Sequence, residues 1–372
     1  MHYFLYPAKD TYLTNEPDYI TKNVGLDEIL QVDKVMSNNG CGSVSGSLKP
    51  ILSRALLQFD LTQISESIAA GSISSASFFL NLRICESSEV PVEYTLIAAP
   101  VSESWEMGTG YRYDGATVST GASWKYRDVA GSRWVSGSAT DCTGGASWFV
   151  SSSLVVSGSS TSYTGPYVCS QSFNYQSSDV CMDVTRIVNA WLNRSVTNNG
   201  LVLMHSDQSS SIDYGALKFF SKETNTVYSP YLDVCWNDVV FNTGSADPIT
   251  IDDAVVNIKN MAPEYKHGSI VRFNVTARQR YPVKTFTNRL SDYLAPYYLP
   301  YDSFYCIKDA ESEMEIVPYD DFTRLSMDSK GNYFKLDTTG LPQERYFKVE
   351  IRTEQDGSIL TYEIPTAFKI SR

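Results

Sequence analysis

Residues 53–61 read Ser-Arg-Ala-Leu-Leu-Gln-Phe-Asp-Leu. In an extended chain successive side chains point to opposite faces. Ala55, Leu57, Phe59 and Leu61 then share one face, and Arg54, Gln58 and Asp60 take the other. The stretch therefore reads as a strand with one apolar and one wet face, as in antiparallel sheets.

The alternation recurs outward from this point. In residues 76–84 (ASFFLNLRI) the inward set is Ala76, Phe78, Leu80, Leu82 and Ile84. Residues 92–100 (VEYTLIAAP) repeat it with Val92, Tyr94, Leu96 and Ala98, and residues 346–354 (YFKVEIRTE) with Phe347, Val349 and Ile351. One helix interrupts the strands. In DVTRIVNAWLNR, Ile187, Val188, Trp191 and Leu192 fall at helical spacing, with Asp183 or Thr185 as cap and Asn198–Gly200 as the exit turn.

Composition agrees. The chain has 372 residues, enough for two domains, and 25 Tyr among many Ser and Gly, which suits pleated surfaces. Its net charge of −12 argues against a nucleic-acid groove, which needs clustered Lys and Arg. No apolar run is long enough to span a membrane. The opening MHYFLYPAKD has no basic stretch and no small-residue cleavage site, so no signal peptide is expected. Seven cysteines (Cys41, Cys85, Cys142, Cys169, Cys181, Cys235 and Cys306) lack any C-x-x-C pair, so free thiols of a reducing compartment are expected, with a Cys169–Cys181 bridge as the alternative.

Residues 105–165 are unlike the rest, with Trp105, Trp124, Trp134 and Trp148 set among Gly and Ser. Those rings either anchor the packing of a decorated loop region or form a platform for sugar rings. The Tyr-rich run 293–306, with Tyr297, Tyr298 and Tyr301, carries the same two readings and suits a protein interface. After residue 240 the Ser-Gly tracts vanish. Residues 241–250 read as a linker, and residues 251–372 hold six or seven strands suited to an immunoglobulin- or fibronectin III-like sandwich.

Catalytic residues are not expected. Three histidines (His2, His205 and His267) leave only His205 with Asp207 for a triad, and no G-x-S-x-G elbow accompanies them. Glu103 and Glu106 flank Trp105 and would be the pair for glycoside hydrolysis. No cofactor is expected. A structural calcium would use Asp247, Asp252 and Asp253, or the acidic loop positions Asp302, Asp320 and Asp321, although EF-hand spacing is absent.

The order SRALLQFDLTQI, SASFFLNLRI, YTLIAAPVSESWEMGTG, TGASW, DVTRIVNAWLN, NGLVLMHSD, LKFFSKETNTVYSPYLDV resembles the DNRLRE (disaggregatase-related) domain. FFSKET stands where that family has a Ser-Arg-Glu core. The resemblance implies an all-β chain whose residues 1–240 form a jelly-roll β-sandwich with one short helix, similar to alginate-type carbohydrate-binding modules. The opening YPAKDTYLTNEPDYITKNVGLDEILQVDKV resembles such domains in tailed-bacteriophage virion proteins, where an immunoglobulin-like domain follows. It implies a structural, non-catalytic component of a tail, baseplate, neck or fibre attachment. Such a component would assemble in the host cytoplasm and dock with other virion proteins in multiple symmetric copies. Binding of a polysaccharide is the alternative function; nucleic acid and membrane insertion are not implied.

Overall fold

A computed structural model of the chain describes residues 1–40, 48–112, 118–129, 131–134, 144–157, 164–175, 177–242, 248–281 and 297–372. Among them the fold is all-β with several sheets, accompanied by two eight-residue α-helices. Neither helix is long and apolar enough to cross a membrane. Half of the expected linker, residues 243–247, lies outside the described residues. The chain divides into two compact units, the larger holding Leu5–Ile73 and Ser77–Asp233, the smaller Met1–Phe4, Ser74–Ala76 and Val234–Arg372.

The larger unit is built on an eight-stranded sheet. Its order is Cys169–Asn174, Glu93–Pro100, Leu201–His205, Lys49–Phe59, Ile29–Ser37, Gly215–Phe220 and Ile84–Ser88, with Pro7–Thr14 also pairing along Lys49–Phe59. The strand expected from SRALLQFDL is there, and Ala55, Leu57 and Phe59 are buried as their face predicts. It stops at Phe59. Asp60 accepts from the Thr62 backbone N–H at 3.0 Å and so turns the chain into a helix, Thr62–Ala69, which the sequence reading missed.

The opposite face departs from expectation. Arg54 and Leu56 are fully buried, because a second apolar layer covers this side of the sheet. That layer comprises Trp105, Trp124, Trp134 and Trp148, packed with Leu13, Leu52, Leu56, Val202 and Met204. The Arg54 guanidinium sits 4.7 Å from the Trp124 ring centroid and 5.3 Å from that of Trp148. Its Nε donates to Gln208 Oε1 at 3.1 Å and its Nη1 to the Gly145 carbonyl. Gly145 has φ +87° and abuts the Trp124 indole, where a Cβ would meet ring carbon at 2.7 Å. The central strands are therefore buried on both faces, and their charged residue is solvated by amide, carbonyl and indole instead of water.

Residues 76–84 also differ from one continuous strand. Ala76–Leu82 pairs with Val180–Asp183, whereas Ile84–Ser88 pairs with Gly215–Phe220 in the large sheet. The chain changes sheets at Arg83, held by Asp179, which accepts from Arg83 Nη1 at 2.9 Å and from the Ile84 N–H at 2.8 Å. The expected helix spans Thr185–Leu192 and buries Ile187, Val188, Ala190 and Trp191. Its N-cap is Val184, with no side-chain cap, so neither Asp183 nor Thr185 fills that position; Asp183 accepts from the Thr185 N–H at 2.9 Å.

The smaller unit holds two sheets. One runs Ala254–Lys259, Ile270–Gln279, Gly331–Asp337, Ser326–Asp328, and the other Glu264–Lys266, Phe368–Ser371, Tyr346–Gln355, Ser303–Asp309, Glu315–Val317, with Ser358–Glu363 also along Tyr346–Gln355. Phe347, Val349 and Ile351 are fully buried on one face, as their alternation predicts. The stretch LTYEIPTAFKI breaks in two at Pro365, which has no N–H for the ladder.

Candidate functional site

The candidate site is a cleft of about 310 Å³ on the larger unit, lined by Tyr12, Asp27, Glu28, Ile29, Gln31, Cys85, Glu86, Tyr111 and Lys218. Its floor is a register row. Gln31 lies directly opposite Lys218, and Lys218 directly opposite Glu86, so three polar side chains from adjacent strands point to one side. Lys218 Nζ donates to Glu86 Oε2 at 2.8 Å.

Arg112 and Tyr111 come from the segment after the glycine turns. Arg112 Nη1 donates to Gln31 Oε1 at 2.9 Å, its guanidinium stacks 4.7 Å from the Tyr19 ring centroid, and Nη2 pairs with Glu16. Its backbone N–H donates to Asp27 Oδ1 at 3.0 Å, and the Tyr12 hydroxyl donates to Asp27 Oδ2 at 3.4 Å. Tyr111 is 36% exposed beside the polar floor.

The segment is held by Asn23, fully buried with all four amide valences used. Its Nδ2 donates to the carbonyls of Met107 (2.7 Å) and Ala122 (2.8 Å), and its Oδ1 accepts from the N–H groups of Gly25 (3.1 Å) and Gly110 (2.9 Å). Gly108, at φ +77°, lies against that amide with no room for a Cβ. One position along from Gln31 on the same strand face, Asp33 is buried and accepts from Ser53 Oγ at 2.9 Å. Burial pushes its carboxyl up to about 7.

The residues singled out from sequence lie elsewhere. All four tryptophans are at most 2% exposed, so none presents a ring face to a glycan; they are packing anchors. Trp105 and Trp134 spend their indole N–H groups on the carbonyls of Asn199 (2.8 Å) and Ser123 (3.0 Å). In the smaller unit Tyr298 is buried with its hydroxyl donating to the Asp328 carbonyl at 2.8 Å, and Tyr297 is half-buried. Only Tyr301 is open, at 56%, and its ring stacks on Phe241 with centroids 4.4 Å apart. Arg324 covers it from 4.3 Å. Residues 293–296 of the Tyr-rich run lie outside the described residues.

The catalytic candidates do not converge. Glu106 accepts from Lys9 Nζ at 3.2 Å, while Glu103 accepts from Ser147 Oγ at 3.3 Å. His205 is buried between the rings of Tyr94 and Tyr214, and burial lowers its pKa to about 4. Asp207 turns to Ser210 and to Lys34, 3.6 Å away.

Several of the calcium candidates are otherwise engaged, and Asp252 is exposed. Asp320 caps the turn Asp321–Thr323, Asp302 and Asp321 pair with Arg324, and Asp247 is not among the described residues. Among the described residues none of them belongs to a three-ligand group. Cys85, Cys169, Cys181, Cys235 and Cys306 are free thiols, so no Cys169–Cys181 bridge forms; Cys41 and Cys142 are outside the described residues.

No family model matches the chain. No curated protein matches it. Among solved structures it is similar to a DUF4785 family protein from Legionella pneumophila, at 9% identity and a TM-score of 0.17 over 100% of this chain and 64% of that one. It is also similar to a putative beta-galactosidase from Bacteroides fragilis, at 9% identity and a TM-score of 0.17 over 97% of this chain and 40% of that one. The chain thus spans under two thirds of the length of both.

Proposed function

We propose that this chain is a non-catalytic binding protein whose larger unit, a jelly-roll β-sandwich, holds a carbohydrate in the cleft over Gln31, Lys218 and Glu86. The carrying observation is that row of alternating donors and acceptors beside the part-exposed Tyr111 ring. Hydroxyl groups bridge such donors and acceptors, and an aromatic face takes the C–H side of a sugar ring. The smaller unit, an immunoglobulin-like sandwich, serves as carrier. Affinity electrophoresis against neutral, acidic and basic polysaccharides tests this. Retardation by one class, reduced in Tyr111→Ala, is expected; unchanged mobility in every gel refutes it.

A second reading, a docking component of a tailed-phage virion, draws support from the exposed Phe241–Tyr301 pair and from the resemblance in chain order. Stacked aromatics beside an arginine suit a protein interface, and multiple copies in a symmetric particle would multiply a weak contact. Mass spectrometry of purified particles decides it, since the chain must be present in them.

A further inference from the structure

We infer that the saccharide taken by this cleft carries a free, protonated amine; the inference rests on the carbohydrate reading above. Four charged side chains line the cleft, three of them carboxylates: Asp27, Glu28 and Glu86 against Lys218. Lys218 and Glu86 compensate each other at 2.8 Å. Asp27 is occupied by the neutral donors Tyr12 hydroxyl and Arg112 N–H.

Glu28 is different. It is exposed, one oxygen accepts from the Asn225 side-chain amide at 3.0 Å, and no cation pairs with it among the described residues. The nearby Arg112 side chain is only 10% exposed and already pairs with Glu16, donates to Gln31 and stacks on the Tyr19 ring, so it is poorly placed to meet an incoming anion. A uronate would therefore enter a cleft with excess negative charge on a chain of net charge −12. An ammonium on the sugar would supply the cation that Glu28, at the cleft lining, lacks. The amide of Asn225 orients the carboxylate without neutralising it.

Isothermal titration of the full chain with a glucosamine oligosaccharide, its N-acetylated counterpart and an oligouronate tests this at about pH 6 and low salt. The free-amine ligand is expected to bind about fivefold tighter than the acetylated one, the worth of one part-exposed ion pair. Glu28→Gln should erase that difference, bringing the affinity ratio of the two ligands to about one. Equal affinity for the two, or tighter binding of the uronate, overturns the amine requirement alone. Heat from none of the three overturns the carbohydrate reading beneath it.

Discussion

The guanidinium carbon of Arg54 lies 4.7 Å from the centroid of the Trp124 indole, inside a layer that water does not reach. That contact helps join the central strand of the large sheet to the segment that covers it.

Arg54→Ala should therefore loosen the whole Trp layer. It leaves a cavity and strips the Gly145 carbonyl and Gln208 of their donor, which together cost about 3–4 kcal/mol. Urea denaturation followed by tryptophan emission reads it as an earlier midpoint with a red-shifted native spectrum. Arg54→Lys should recover less than half of the loss, since an ammonium cannot lie flat between two indoles while reaching both acceptors.

Gly145→Ala probes the same layer from outside. A Cβ there meets Trp124 at 2.7 Å on a left-handed backbone, so a loss of about 2 kcal/mol is expected, with the Trp emission shifted as for Arg54→Ala. Gly131→Ala is the control, because its Cβ meets nothing within 4 Å and only the backbone preference is charged against it.

Asn23→Asp should be worse than its size suggests. It points carboxylate oxygens at the Met107 and Ala122 carbonyls, which now receive N–H donors, at a cost of about 2–4 kcal/mol near pH 7. The loss should shrink in acid as the new carboxyl protonates. Binding at the cleft should weaken in parallel, since Asn23 holds the segment that carries Tyr111 and Arg112.

Stability should also depend on pH through Asp33. Its pKa is raised from 3.8 to about 7 by burial, so the unfolded chain gives up its proton first. Stability is then fullest below about pH 4, falls as pH rises toward 7, and levels above it. Asp10, raised likewise to about 7 by burial, adds to the same slope. Asp33→Asn keeps an acceptor for Ser53 and should flatten part of the fall, so urea midpoints at about pH 5 and pH 8 should differ less in the variant than in the parent chain.

Alternation made half of each central strand legible. Ala55, Leu57 and Phe59, like Phe347, Val349 and Ile351, sit where period two puts them. It failed for Arg54 because a charge ordinarily marks a wet face, and nothing local announces that the distant indoles of Trp124 and Trp148 will replace the water. The helix Thr62–Ala69 escaped because it is short and buries Ile64 alone, with Ile68, one turn on, exposed. The cleft was illegible for a related reason. Gln31, Glu86, Tyr111 and Lys218 are unremarkable types in four distant segments, and only strand register brings three of them into a row.

In the smaller unit, Phe368–Ser371 lies between Glu264–Lys266, to which it is parallel, and Tyr346–Gln355. A strand hydrogen-bonded on both flanks is a keystone, and this one is made long after its parallel neighbour. The larger unit's sheet is complete once Phe220 emerges from the ribosome, so it can fold while translation continues. The smaller unit must wait for residue 371, holding Glu264–Lys266 without its parallel neighbour for about 100 residues of elongation, the interval in which a chaperone would find it open.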